Sequence, residues 1–234
     1  MLPQTTIARP EWVRAQDPAH WLTAGEMAAL RAWRSDTRRA EWLAGRLAVK
    51  RLLQDSYGLS PRLCAVGRDG VAPCIVGPDL PHIPSHLSHS ALSHLCLSHL
   101  CLSLSHSAGL GAATVSDPET EGTAGVDVQL IRPVHPGLGA RAFTPGESAQ
   151  IRARFGDEND AGGLLLLWAL KEAAIKARRV AWGRALREIE VELLGPASAT
   201  IHIRGEPALT ASYARLGDLN DAWWLARAVR PPAA

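Results

Sequence analysis

Nine residues, Trp168–Lys176 (WALKEAAIK), place a tryptophan, a carboxylate and an ammonium at i, i+4 and i+8. On a helix Trp168, Glu172 and Lys176 form one column. On a solvated face the acid and base would make only a surface pair worth a few tenths of a kcal/mol. Here the column starts at a tryptophan and continues the apolar run Leu164–Leu167. That places the charges near a packed surface, where they are costly without a ligand or metal. A second candidate is Gly125–Gln129 (GVDVQ). In a strand, Asp127 and Gln129 share one face while Val126 and Val128 take the other. This is either the wet side of an edge strand or a pair of oxygen donors suited to Mg²⁺, which takes one or two carboxylates and completes its shell with water and phosphate. In Phe143–Glu147 (FTPGE), Thr144, Pro145 and Glu147 form a capping-box pattern, which is a sufficient structural reading. Ser85–Ser107 holds five of the nine histidines and repeats LSHLC twice. Its ligand types raise the question of a metal site.

These residues need elements to carry them. Residues 23–35 and 36–57 read as helices, the second with Asp36 as N-cap and Gly58 as its stop. On that second helix Arg39, Arg46 and Lys50 fall at i, i+7 and i+11, on a side away from Leu43, Leu47 and Leu53. The stripe is either an ordinary solvated face or a contact for a phosphate-rich ligand. Residues 60–84 read as loop with a short strand near 74–76. Strands are expected at 109–115, 124–130, 188–194, 199–204 and 222–229, and helices at 145–155 and 160–181. Helices followed by strands recur in both halves. The expected fold class is therefore α+β, with two similar lobes over residues 1–118 and 119–234.

Bulk composition narrows the function classes. A chain of 234 residues, about half of them apolar, can bury a core. It has no apolar run near the ~20 residues of a membrane span. The N-terminus lacks an apolar signal region, so the cytoplasm is the expected compartment, with cysteines 64, 74, 96 and 101 reduced. Of 25 basic residues only Lys50, Lys171 and Lys176 are lysines. A coding bias toward arginine explains the excess of Arg but says nothing of where the three lysines sit.

Taken in order, the motifs resemble those of the Sfp-type 4′-phosphopantetheinyl transferases. GVD is followed by F-T-x-x-E and then by W-x-x-K-E-x-x-x-K. Upstream, Arg38–Leu53 (RRAEWLAGRLAVKRLL) is similar to the family's R-x-x-W-x-x-G-R-x-x-x-K helix, and Ser103–Ser107 (SLSHS) to its S-H-S motif. Each motif alone is weak; five in order over residues 38–183 are specific. The resemblance implies two pseudo-twofold-related lobes with coenzyme A in the cleft between them. It also implies transfer of the 4′-phosphopantetheine arm from coenzyme A to a serine of an apo acyl or peptidyl carrier protein, with release of 3′,5′-ADP.

The resemblance assigns roles as well. Asp127, Gln129 and Glu172 would hold Mg²⁺, with Mn²⁺ as a stand-in. Glu172 would also take the serine proton, and Lys176 would contact phosphate. Lys171 would sit at the edge of the site. Ser105 and His106 would bind a coenzyme A phosphate. Arg39, Arg46 and Lys50 would meet the 3′-phosphoadenosine end, and Gly70 and Pro73 the adenine. The implied protein acts as a cytoplasmic monomer on carriers of fatty acid, polyketide or nonribosomal peptide synthesis, without nucleic acid or membrane.

Three positions depart from the family pattern. Gln129 stands where Glu is common, which lowers the charge of the metal site by one. The G-K-P lysine has no match in Gly70-Val71-Ala72-Pro73, and of the glycines usual after the last motif lysine only Gly183 is present. A specialised or catalytically weak homologue is therefore one alternative. A nucleic-acid module is another, disfavoured by a net charge of +2 and only two Tyr and two Phe. A zinc protein built on the LSHLC repeat is a third. Its five-residue period matches neither helix nor strand, so the two copies do not present equivalent ligands.

Overall fold

Helix α4 (Asp36–Tyr57) shows how far local rules reach. It ends at Gly58, whose φ of 64° is the left-handed stop that glycine tolerates. It begins one residue earlier than the cap expected: Ser35 Oγ, not Asp36, accepts from Arg38 N at 3.3 Å. Asp36 is instead the first helical residue and pairs with Arg39. The computed structural model describes residues 5–77, 100–218 and 221–232.

The chain opens with β1 (Thr5–Ala8), two short helices α1 (Pro10–Ala15) and α2 (Pro18–Trp21), and α3 (Ala24–Ala32), before α4. A hairpin of β2 (Ala65–Asp69) and β3 (Ala72–Val76) follows, where a loop with a single short strand was expected. Gly70, at φ 57°, makes its turn. Strand β4 (Cys101–Ser107) is regular, pairing antiparallel with β5 (Leu110–Ser116) through the positive-φ pair Ala108–Gly109. With β1 these form one sheet, in the order β1-β5-β4.

Then come β6 (Thr123–Leu130), α5 (Leu138–Ala142), α6 (Pro145–Phe155) and α7 (Ala161–Ala177). The last four strands are β7 (Ile189–Leu193), β8 (Ser198–Ile203), β9 (Leu209–Gly217) and β10 (Ala222–Arg230). The second sheet runs β6-β10-β9-β8-β7. Strand β9 was not expected. The class is α+β. Among the described residues no helix is long and apolar enough to cross a membrane.

One apolar core lies under α4 and a second under α7. A third, smaller one joins Leu110 and Ala112 of β5 to Val126, Val128, Trp223 and Leu225 of the second sheet. The seam between the sheets has no backbone ladder. Along the edge of β6 away from β10, the amides of Ala124, Val126, Val128 and Leu130 donate instead to the hydroxyls of Ser116, Ser103, Ser105 and Ser107. Every second amide of the strand is satisfied in this way, as buried backbone donors require. The period-two serines of SLSHS are therefore the comb that fastens β4 to β6.

The two halves also share an internal repeat. Without gaps, residues 23–50 and 144–171 match at 11 of 28 positions, including Thr-x-Gly-Glu at one end and Lys at the other. Thr23 and Glu26 close a capping box on α3, and Thr144 and Glu147 close one on α6. In each copy one Glu oxygen takes the helix-cap amide and the lysine, and the other takes a strand amide: Val66 N in β2, Val191 N in β7.

The lysine lies 24 residues after that Glu in both copies. Lys50 Nζ meets Glu26 at 2.8 Å and donates to the carbonyls of Pro61 and Cys64. Lys171 Nζ meets Glu147 at 2.8 Å and donates to the carbonyls of Ala142 and Leu186. An ammonium has three donors, and each finds an acceptor. A planar guanidinium does not fit that compact set, which explains two of the three lysines in an arginine-rich chain.

Candidate active site

Gly125 decides how close α7 comes to β6. A Cβ there would lie 2.0 Å from Ala173 O and 2.4 Å from Ala177 N, so only glycine admits the helix. The next strand residue on that face, Asp127, is 2% exposed, and Lys176 reaches it from the helix. Lys176 Nζ is 2.6 Å from Asp127 Oδ1 and 3.2 Å from Val126 O. Ser105 Oγ donates to the same Oδ1 at 2.7 Å, and Gln129 Nε2 donates to Oδ2 at 2.8 Å. Half-buried Glu172 lies on the same helix, one turn before Lys176. Burial pushes its carboxyl up, the charge of Asp127 adds to the rise, and Lys176 partly offsets it.

This cluster sits at one end of a cleft of about 510 Å³. Lys176, Arg179 and Trp182 form one wall; Arg46, Arg68 and Pro73 form the facing one. Arg46 stacks on Trp42, its guanidinium 4.2 Å from the ring centre. Arg46 Nε and Trp182 Nε1 are buried without a hydrogen-bond partner among the described residues. Among those residues Arg46, Arg68 and Arg179 form no ion pair. Apart from Asp127 the lining side chains carry no negative charge. Among the described residues the cleft therefore presents positive charge that its own walls leave uncompensated.

The structure gathers Asp127, Gln129, Lys176, Ser105, His106, Arg46 and Pro73 on this cleft, with Glu172 within electrostatic reach of Asp127. It places others elsewhere. Arg39 is exposed and paired with Asp36 at 2.6 Å. Gly70 is the hairpin turn. The expected contacts of Lys50 and Lys171 with the ligand are corrected: both are fully buried, turned into the cores on Glu26 and Glu147. The basic stripe of α4 is thus three residues with three different surroundings. Ser105 lines the cleft, but its hydroxyl is committed to Asp127 and Val128 N. Arg68, Arg179 and Trp182 were missed by sequence reasoning, since no spacing rule marks a residue whose place depends on the meeting of two sheets.

His106 alternates with the serines of β4 and points away from their seam. Its side chain is 38% exposed, and Nδ1 is 4.0 Å from Glu41 Oε2 of α4. Helix α4 packs closely on β4 here: a Cβ at Gly45 would lie 3.1 Å from the Leu104 side chain and 3.4 Å from the imidazole. Burial lowers the His106 pKa, and Lys176 and Arg46 lower it further against the opposing pull of Glu41 and Asp127. A histidine whose folded pKa is depressed binds its proton better when unfolded. Its contribution is therefore intact above about 6.5 and falls as pH drops from there toward the lowered folded value. We expect His106→Gln to flatten that part of the stability-pH profile in urea melts; an unchanged profile would show that the group does not titrate as described. His89, His94, His99 and Cys96 lie outside the described residues, so the LSHLC repeat is not placed. Among the described residues no group of three or more His, Cys, Asp and Glu side chains is set to hold a metal.

The family model of the 4′-phosphopantetheinyl transferase superfamily (ACPS) matches residues 123–227, the segment that carries Asp127, Glu172 and Lys176. No curated protein sequence matches the chain. Among solved structures, holo-[acyl-carrier-protein] synthase of Thermotoga maritima is similar at 18% identity and a TM-score of 0.35, over 46% of this chain and 63% of that one. The chain thus spans less than two thirds of that protein's length. The apo-ACPS structure of Chronobacterium ammoiniagenes is similar at 23% identity and a TM-score of 0.31, over 47% of this chain and 96% of that one. The acyl carrier protein synthase of Mycobacterium tuberculosis has 23% identity and a TM-score of 0.30, over 47% and 97%. Strands β6 to β10 and helices α5 to α7 make up the matched segment. His106, Ser105 and Arg46 reach the cleft from outside it.

Proposed function

We propose that the protein transfers 4′-phosphopantetheine from coenzyme A to a serine of an apo carrier protein, as a holo-[acyl-carrier-protein] synthase-type enzyme. The observation that carries this is the meeting of Asp127 and Lys176, with Glu172 one helical turn away, all within the segment that the superfamily model matches, with a cleft whose arginines lack carboxylate partners among the described residues. Such a cleft favours a polyanion such as coenzyme A, and its volume is in the range of small-molecule sites. On this reading residues 1–118 and 119–234 are the two lobes, with coenzyme A between them. One chain supplies both walls, so a monomer suffices.

The donor set fits Mg²⁺. Asp127 and Glu172 are close enough for one to raise the pKa of the other, a repulsion a divalent cation would relieve, and hard oxygen donors suit that ion. These two carboxylates would hold it, with Gln129 contributing its amide oxygen once turned from Asp127. Bound there, Mg²⁺ would neutralise pyrophosphate charge. Arg46, Arg68 and Lys176 bind and orient the phosphates, and His106 faces the same space. Positioning and charge stabilisation of this kind account for most catalysis in phosphoryl transfer.

The carrier serine oxygen attacks the phosphorus that bears the pantetheine arm. A new O–P bond forms, the bond to the bridging oxygen breaks, and 3′,5′-ADP leaves. The serine proton passes to Glu172, the carboxylate one turn before Lys176 on the same helix. Val71 and Val180 stand about half exposed at the cleft, 54% and 50%, near Arg68 and Arg179. They offer an apolar and cationic rim for an acidic carrier of fatty acid, polyketide or peptide synthesis. Mixing protein, coenzyme A, Mg²⁺ and apo carriers, then weighing the carriers by mass spectrometry, tests the reading. The phosphopantetheine mass gain is expected on at least one carrier; its absence from all would overturn the proposal.

A further inference from the structure

Two consecutive arginines end α7, and the fold treats them oppositely. Arg178 caps the helix in ordinary geometry, φ −76° and ψ −19°. Its guanidinium is spent on Glu206, with Nε at 2.9 and 3.0 Å and Nη2 at 2.7 Å. Arg179 has φ 56°, one of only two positive-φ positions that are not glycine among the described residues. That conformation crowds any Cβ, and helices ordinarily place glycine at this exit. The strain puts the Arg179 side chain on the cleft wall, one turn beyond Lys176. Nη1 donates to Leu102 O in β4 at 3.2 Å. A carbonyl anchors a guanidinium without cancelling its charge, and the fork has further donors to offer. Arg46 and Arg68 face it from the other wall.

We propose that Arg179 binds a phosphate of the bound substrate, and that its glycine-like backbone is kept because it aims the guanidinium into the cleft. The inference rests on the coenzyme A reading above. It places on the α7 side a cation that the Gly70–Pro73 turn, which lacks a lysine, does not supply. Guanidinium is well matched to this task, since two parallel N–H groups can meet two phosphate oxygens. The competing role is a staple: Arg179 serves only to hold α7 to β4 through Leu102.

Arg179→Gly separates the two roles, because glycine relaxes the backbone while removing the cation. Titration calorimetry with coenzyme A is expected to show binding weakened about tenfold, the scale of one charge-assisted contact. The loss should shrink as salt is raised, and the melting temperature should not fall. Dephospho-coenzyme A, which lacks the 3′-phosphate, then identifies the contact. A loss that persists with it assigns the pyrophosphate, and a loss that vanishes assigns the 3′-phosphate; both support the inference. Unchanged affinity for coenzyme A would overturn it. So would a salt-independent loss accompanied by a lower melting temperature, the outcome for a staple. Failure of the unsubstituted protein to bind coenzyme A at all would overturn the transferase reading and this inference with it.

Discussion

Glu172→Gln is expected to abolish transfer while coenzyme A still binds. The substitution keeps the shape of the side chain and removes its basicity. Loss of a positioned base costs about 10²–10⁴-fold. Loss of one of two carboxylates that would hold Mg²⁺ adds to this, so turnover should fall at least about a thousandfold. Binding should persist because Arg46, Arg68 and Lys176, which face the cleft, are untouched. Stability should not suffer, since the charge removed is penalised by burial and by Asp127. Carrier mass gain under single-turnover conditions and calorimetry with coenzyme A measure the two halves of this expectation. Turnover at the unsubstituted rate would remove Glu172 from its role. Joint loss of turnover and binding would recast it as a binding residue.

Gly125→Ala should be strongly destabilising and should disrupt the site directly. Its Cβ would meet Ala173 O at 2.0 Å, Ala177 N at 2.4 Å and the Lys176 carbonyl carbon at 3.0 Å. These are backbone atoms, so no rotamer change relieves the clash. Strand β6 cannot retreat, being paired along its length with β10 and fastened to β4 and β5 by four serine hydroxyls. Helix α7 must lift instead, and Lys176 then leaves Asp127. Overpacking of ordinary side chains costs about 1–3 kcal/mol; a backbone collision belongs at or above the top of that range. Urea denaturation should show the loss, with turnover falling in parallel. Gly183→Ala is the control, because a Cβ there meets nothing within 4 Å. If Gly125→Ala unfolds at the same urea concentration as that control, the close approach does not govern the site.

The lysines show what a reading of spacing captures and where it stops. Three lysines among 25 basic residues were a true signal. Two of them proved structural, because the carbonyls that accept their hydrogen bonds, at Pro61, Cys64, Ala142 and Leu186, come from segments distant in sequence. The matching Thr-x-Gly-Glu and Lys at residues 23–50 and 144–171 were legible in the chain and would have paired each lysine with its Glu. The repeat is diluted by arginine-rich and leucine-rich stretches that differ between the copies. SLSHS was legible as a motif, but its serines form a seam and its histidine faces the cleft. Alternation puts them on opposite sides; only the partner strand decides which side is which.

Elements with strong local signals followed from the sequence by itself. Pro145 to Phe155 is a helix between a capping box and Gly156, and Asp36 to Tyr57 is one between Ser35 and Gly58. Glu172 and Lys176 share a column because α-helical rise puts them there, and Asp127 and Gln129 share a face because strands alternate. The tertiary structure alone decided which charges are neutralised. Burial and partners come from residues far along the chain, so Lys171 is spent on Glu147, Arg178 on Glu206 and Lys176 on Asp127. Arg46, Arg68 and Arg179 present their charge to the cleft because, among the described residues, no carboxylate pairs with them.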